Sequence, residues 1–366
     1  MDASDPSTTV TPDFWRERCS FWLEQSKCKA PRRRREPETS ALTLTGHGLS
    51  IRVDKGSLLV RDGYTHHPAD RREWRFFCGA LDLPAALVVL DGSGEITMDA
   101  IDWLATQRVP LIRLRWDGQF TTVVGAGGQA ASTEKVRWQE DTRLNPRKRL
   151  EFALGLIREK AWATVGTMNE HVPRSRAWER AYKNIEARAL WLEQRPPRTI
   201  GELLGIEGII ASDYFRAWSG VKLKWRAAKR SPIPEDWRKY TSRAALRDGP
   251  RRNYRATHPV NAMLNYAYGV LTARTQIKLI SEGYDPTIGV MHDKEGARGT
   301  YPAFALDRME PMRPVIDRAV LQLVNTTTFT GADFSIQHDG VCRLNPELGR
   351  RVAQLGLQAI GDRLRK

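Results

Sequence analysis

Residues 147–170, RKRLEFALGLIREKAWATVGTMNE, and 177–194, AWERAYKNIEARALWLEQ, place apolar side chains three and four positions apart, the period of a helix with one buried face. Pro196-Pro197 stops the second run. From Asn145 onward the chain reads as helical. Thr199-Ile-Gly-Glu-Leu-Leu-Gly-Ile-Glu-Gly opens another helical section that includes Glu207, and further helices are expected over Pro259 to Glu282, Pro314 to Asn325 and Pro346 to the C-terminus.

Upstream the period changes. LTLTGHGLSIRVDKGSLLVRDG (42–63) has alternating and β-branched runs broken at Gly46, Gly48, Gly56 and Gly63, the pattern of short antiparallel strands with tight turns. AALVVLDGSGEITMDAIDWLATQRVPLIRLRWDGQFTTVV (85–124) predicts an apolar strand, a Gly-rich turn, a helix from about Thr97, and more strands. The turn after Leu90 lacks phosphate-loop spacing and its Lys-Ser/Thr pair. GAGGQAAS (125–132) is small and flexible, a natural boundary, and its glycines do not make a dinucleotide fingerprint. The polar start ends in Pro31-Arg-Arg-Arg-Arg-Glu-Pro. The expected organisation is α+β: a basic arm or linker over 1–40, a small β-rich domain over 41–124, a linker over 125–144, and a larger all-α domain over 145–366.

A chain of 366 residues with 41% hydrophobic content can fill two cores. No run approaches the roughly 18 apolar residues of a membrane span, and MDASDPSTTVTPDFW has neither the basic nor the apolar part of a signal peptide, so a cytoplasmic, membrane-free protein is expected. Cys19, Cys28, Cys78 and Cys342 are scattered, with no CxxC pair, which argues against a disulfide framework or a zinc cluster. The net charge of +15 comes mainly from arginine, whose planar fork suits phosphate oxygens. Nucleic acid is the first partner this implies.

One stretch of the helical half sets a histidine and carboxylates among apolar neighbours: GYDPTIGVMHDKEGARGTYPAFALDRMEPMRP (283–314). His292 follows the apolar run from Ile288 to Met291. Asp307 and Glu310 are three apart, so one helical turn puts both on one face, and Pro311 limits that turn. A buried carboxylate requires a cation, a proton or hydrogen bonds, so this grouping is a candidate divalent-metal site; Arg308 and Arg313 are alternative partners for the same acids. The residues alone do not choose between Asp307 and Glu310 as ligand.

Three segments, LLGIEGIIASDYFRAW from Leu203, HPVNAMLNYAYGVL from His258, and the stretch from Gly283 to Pro314, together resemble the CRISPR adaptation integrase family, also called CRISPR-associated endonuclease one. Their order, their spacing and the preceding β-rich half agree with it, from about Ala41 to the end of the helical region. In that family a glutamate in an L-L-G-x-E-G context, a histidine after a G-h-x-H run (h apolar) and the last acid of a D-x-x-E/D element bind a divalent ion. The matching residues are Glu207, His292 and Glu310, with Asp307 as a supporting acid. HPVNAMLNYAYGVL reads as a buried helix beside the site, its Asn261 and Asn265 satisfying neighbouring groups. The chain departs from the pattern in the arm before Ala41 and in an enlarged loop after His292.

The resemblance implies an Mg²⁺- or Mn²⁺-dependent DNA endonuclease and integrase of CRISPR adaptation, which joins the 3′-OH ends of short foreign DNA into a repeat array. It further implies double-stranded and branched DNA as partners, a homodimer, and a small ferredoxin-like adaptation partner. Arg143, Arg147, Lys148, Arg149, Lys224, Arg226, Lys229, Arg230, Arg251 and Arg252 are candidates for phosphate contacts. Two other readings compete: a branched-DNA repair nuclease or mobile-element integrase on the same fold, and a non-catalytic basic scaffold for nucleic acid.

Overall fold

The computed structural model describes residues 12–27, 41–65, 71–115, 120–124, 131–227, 229–243, 255–292 and 301–364. Helix α1 (Pro12–Lys27) comes first. The expected arm over 1–40 is therefore corrected in this part. Phe14, Cys19 and Trp22 recur along one buried face, and Arg18 and Trp22 both donate to the buried Asp333 carboxylate, at 2.8 and 2.6 Å. The basic run after Lys27 outweighs this apolar stripe in any average over the segment, which is why the segment reads as an arm.

A mixed sheet follows. β1 (Leu42–Asp54) and β2 (Ser57–Arg61) form a hairpin through Lys55-Gly56, both left-handed at φ 49° and 74°, as a two-residue turn requires. β3 (Glu73–Phe76) extends it antiparallel. β4 (Leu87–Ile96) lies parallel to β1, and α2 (Met98–Thr106), capped by the Thr97 side chain, returns the chain to β5 (Leu111–Leu114), parallel to β4; β6 (Phe120–Val124) closes the order β3-β2-β1-β4-β5-β6. The Gly-rich turn expected after Leu90 is instead a continuation of β4. A Cβ at Gly92 would stand 2.0 Å from the Gly46 carbonyl oxygen, so these glycines serve the close approach of two strands where the β1–β4 register slips.

The run Leu87-Val-Val-Leu is apolar without alternation because both faces of β4 are covered. Leu87 and Val89 pack with Trp103 and Leu104 of α2, whereas Val88 and Leu90, with Ile112 and Leu114, join the core of the helices that follow. The division expected between 124 and 145 thus runs through one continuous apolar core. The expected linker also contains a helix, α3 (Thr133–Leu144).

Then come α4 (Pro146–His171), α5 (Arg176–Gln194) and α6 (Ile200–Ala217), followed by the short strand β7 (Lys224–Trp225). The last segments are α7 (Pro259–Ser281), α8 (Ala303–Met309), α9 (Arg313–Thr326), β8 (Thr328–Phe329), β9 (Phe334–Ile336), β10 (Cys342–Leu344) and α10 (Pro346–Leu364). The chain is thus an N-terminal sheet followed by a mostly helical region, to which the short pairs β7–β8 and β9–β10 are an addition. No helix among the described residues is long and apolar enough to cross a membrane. α7 is buried almost all round and forms the axis against which α8, α9 and α10 pack.

Arg350 of α10 fastens the last helix to the sheet. Fully buried, it donates to Thr45 Oγ1 at 2.6 Å, Asp62 at 2.7 Å and Glu347 at 2.9 Å, and to the Thr43 carbonyl. Arg350→Met strands two buried carboxylates, with Arg72 left as a partial partner. Urea unfolding should register a loss of about 3 kcal/mol; an unchanged midpoint would remove this clamp from the account.

α7 begins at His258, whose Nδ1 accepts from the Val260 N–H at 3.2 Å. Burial pushes this imidazole down to about 4. Its folded-state value lies below that of the unfolded chain, so its stabilisation is complete above pH 6.5 and is lost as pH falls towards 4. The loss is up to about 3 kcal/mol. His258→Asn, which keeps a capping acceptor without titrating there, should flatten stability across that window.

Candidate metal and nucleic-acid site

Glu207 lies midway along α6, whose start is fixed by Thr199 accepting from the Glu202 N–H. Glu310 follows α8 directly, where Pro311 tightens the chain into a single 3₁₀ turn before α9. These two acids, 103 positions apart in sequence, converge on one group. The ammonium of Lys160, from α4, donates to Glu310 Oε2 at 2.6 Å and closely to Glu207 Oε1. Arg313 Nε donates to the other Glu310 oxygen at 2.9 Å. Glu310 is buried, and burial alone would raise its pKa; the charges of Arg313 and Lys160 outweigh that and hold it down at about 2. Arg313 also lies over the Tyr268 ring of α7, and Tyr268 donates to Asp317 of α9, so the site is anchored in the bundle axis.

His292 is placed by a carboxylate. Asp307 of α8 is fully buried, and its Oδ2 accepts from the Val290 and Met291 N–H groups at 2.7 and 2.8 Å, while Oδ1 accepts from the His292 N–H at 3.0 Å. Three consecutive backbone donors curl round one anion. The same Oδ1 lies 2.8 Å from His292 Nδ1, and this contact raises the imidazole pKa above its ordinary value. With Nδ1 protonated towards Asp307, a neutral imidazole keeps its lone pair on Nε2, the arrangement in which a carboxylate orients a ligating histidine. Gly289 permits the curl: a Cβ there would meet the His292 carbonyl oxygen at 2.1 Å.

Two further side chains hold the segment. Buried Gln139 of α3 donates to the Asp285 and Ile288 carbonyls at 2.8 and 2.9 Å and accepts from the Asp285 N–H at 3.0 Å. Arg149 of α4 donates to the Met291 carbonyl at 3.0 Å. Lys160, Gln139 and Arg149 were not assigned these roles from sequence. For Lys160 a signal existed, because it falls on the inward stripe of α4 with Leu156, Ile157 and Thr164, where a charge demands a partner.

The structure brings Glu207 and Glu310 together through Lys160, and Asp307 together with His292; the charges of His292 and Glu310 act on each other. Among the described residues no three His, Cys, Asp or Glu side chains form a ready metal cage. The donor set nevertheless suits a hard divalent ion: two carboxylates already aimed at one positive charge, and an imidazole fixed by a third. Arg147 and Lys148 are exposed at the start of α4, beside Arg149; Lys229 and Arg230 are exposed elsewhere, Arg230 lying over Phe14. Arg143 is half-buried, Lys224 donates to the Asn325 carbonyl, and Arg226 pairs with Glu17. Arg251, Arg252 and residues 293–300 of the enlarged loop lie outside the described residues.

Replacing Asp307 by Asn exchanges an acceptor of three N–H groups for one that turns a donor towards them. Thermal unfolding should show a loss of about 1–3 kcal/mol, with faster amide exchange over 290–292. Protection of those amides at the parental level would refute the role given to Asp307.

Residues 42–355 match the family model for CRISPR associated protein Cas1. The chain is 28% identical over 284 residues to a CRISPR-associated exonuclease Cas4/endonuclease Cas1 fusion of Geobacter sulfurreducens, covering 72% of this chain and 44% of that protein. It is 26% identical over 324 residues to a CRISPR-associated endonuclease Cas1 of Archaeoglobus fulgidus, covering 84% and 85%. The chain thus spans less than half the length of the fusion relatives. Among solved structures it resembles a casposase bound to integration product, with a TM-score of 0.66, 23% identity, and coverage of 87% and 82%. It also resembles a chain of a Cas6-RT-Cas1–Cas2 complex, with a TM-score of 0.62, 18% identity, and coverage of 91% and 33%. The structural likenesses establish a shared fold.

Proposed function

Since the chain belongs to the Cas1 family, we propose that it is a divalent-metal-dependent DNA endonuclease and integrase, which joins the 3′-OH ends of short foreign DNA into a CRISPR repeat array. The observation that carries this reading is the convergence of Glu207 and Glu310 on one cation position, near a histidine oriented by a buried carboxylate.

Glu207, Glu310 and His292 Nε2 would hold the ion, Mg²⁺ or Mn²⁺, and Asp307 fixes the imidazole through Nδ1. When bound, such an ion polarises the scissile phosphate and stabilises charge on the attacking and leaving oxygens. Arg313 keeps one Glu310 oxygen engaged, which limits the orientations of this carboxylate. Exposed Arg147 and Lys148 lie in the first turn of α4, the helix whose Arg149 donates to the Met291 carbonyl, and are candidates there for contact with a duplex backbone. Attack by a 3′-hydroxyl gives joining, and attack by water gives cutting. A homodimer and a small ferredoxin-like partner complete the proposal; the likeness to a chain of a Cas1–Cas2 complex is compatible with such an assembly.

The test combines a supercoiled plasmid carrying a repeat array, a labelled short duplex with free 3′-hydroxyls, and Mn²⁺ or Mg²⁺. Label should join the plasmid in the wild type and disappear with EDTA. It should fall at least about 100-fold in Glu207→Gln, His292→Ala and Glu310→Gln. Joining at random sites rather than at the repeat would favour the mobile-element reading; joining that survives EDTA would overturn the metal-dependent one.

A further inference from the structure

Glu207, Glu310, Lys160 and Arg313 form a cluster of two carboxylates and two cations, electrically neutral as it stands. The centre of the cluster is shielded from water, with Lys160 and Glu310 side chains 13% and 7% exposed, while Glu207 and Arg313 at its rim are 24% and 28% exposed. A divalent ion added to these four groups gives them a net positive charge of two, offset in part by the Asp307 carboxylate paired with His292. The ammonium and an ion bridging the two acids also compete for the same oxygens, because Lys160 holds Oε1 of Glu207 and Oε2 of Glu310, while Arg313 holds the remaining Glu310 oxygen.

Building on the reading of Glu207 and Glu310 as ligands, we infer that Lys160 is an internal competitor of the metal ion, displaced from the two carboxylates when the ion enters and received by a DNA phosphate. The residue type suits both positions: an ammonium is a compact charge on a flexible four-carbon stem, able to move without unfolding α4. In the metal-free protein Lys160 holds the two carboxylates aimed at one point. Once the ion is bound, the released ammonium requires an anion, and a phosphodiester supplies it. Metal and DNA therefore bind with positive coupling, each raising the affinity for the other by the same factor. Lys160 is thus a positioning residue, distinct from the ligands it holds.

The test is Mn²⁺ titration calorimetry on the whole chain, with and without a short duplex, for wild type, Lys160→Met, Lys160→Arg and Glu207→Gln, each first checked for folding by circular dichroism. Without DNA, Lys160→Met should bind Mn²⁺ about tenfold tighter or more, because one competing charge is gone. Lys160→Arg, which keeps the charge, should not. The duplex should raise Mn²⁺ affinity in wild type and do so less in Lys160→Met. Should Lys160→Met fail to fold, Lys160→Gln takes its place. Equal Mn²⁺ affinity in wild type and the folded neutral variants, with Glu207→Gln weakened, overturns the competition and leaves the ligand assignment standing. Absence of Mn²⁺ binding in all four proteins overturns the ligand assignment, and the inference with it.

Discussion

Charge neutralisation between α4, α6 and the Glu310 turn is the constraint on which the candidate site depends. A buried carboxylate such as Glu310 is costly unless a cation stands against it. Here Lys160 and Arg313 do so from two directions, and each belongs to a different helix. The acid therefore ties α4 and α9 to the turn between α8 and α9. Through Lys160 the same pairing extends to α6 and fixes where Glu207 points.

The second constraint is the backbone anion trap around Asp307. Three N–H groups at Val290, Met291 and His292 have no helix or strand to satisfy them, and one fully buried carboxylate accepts all three. The same oxygen that ends this series touches the imidazole. Backbone satisfaction and histidine orientation are consequently one arrangement. Residues from α3, α4 and α8 hold this segment in place, which gives an irregular stretch the rigidity of the elements around it.

What could be read from the sequence follows from how local each signal is. Helices over 147–170 and 177–194 were legible because a 3.6-residue period repeats within each segment, that over 259–281 because a nearly continuous apolar run follows a proline at its first turn, and the helix after Thr97 because its cap is local. The parallel pairing of β1 with β4 was not, since it depends on residues about 45 positions apart. Neither was the continuity of β4 through Gly92, where glycines that usually signal a turn instead allow Gly46 to approach. α1 was hidden because its apolar face is short and a basic run follows it. For the site, the segments carrying Glu207, His292 and Glu310 were recognised by motif order, while Lys160 was missed. Its role is set by acids 47 and 150 positions away, and only the fold brings these together.

The position of the sheet bears on the site as well. Val88 and Leu90 of β4 and Ile112 and Leu114 of β5 belong to the core that also contains Met263 and Leu264 of α7 and Val320 of α9. Arg350 locks α10 onto Thr45 and Asp62. The sheet and α10 thus brace α7, the helix whose Tyr268 lies against Arg313. A site that must hold opposed charges in place benefits from such bracing, because a displacement that separates Arg313 or Lys160 from Glu310 uncovers a buried charge. Within this fold Lys160 ends in an ammonium on a flexible stem that can leave the two acids without its helix, whereas Arg313 is held against the Tyr268 ring as well as Glu310.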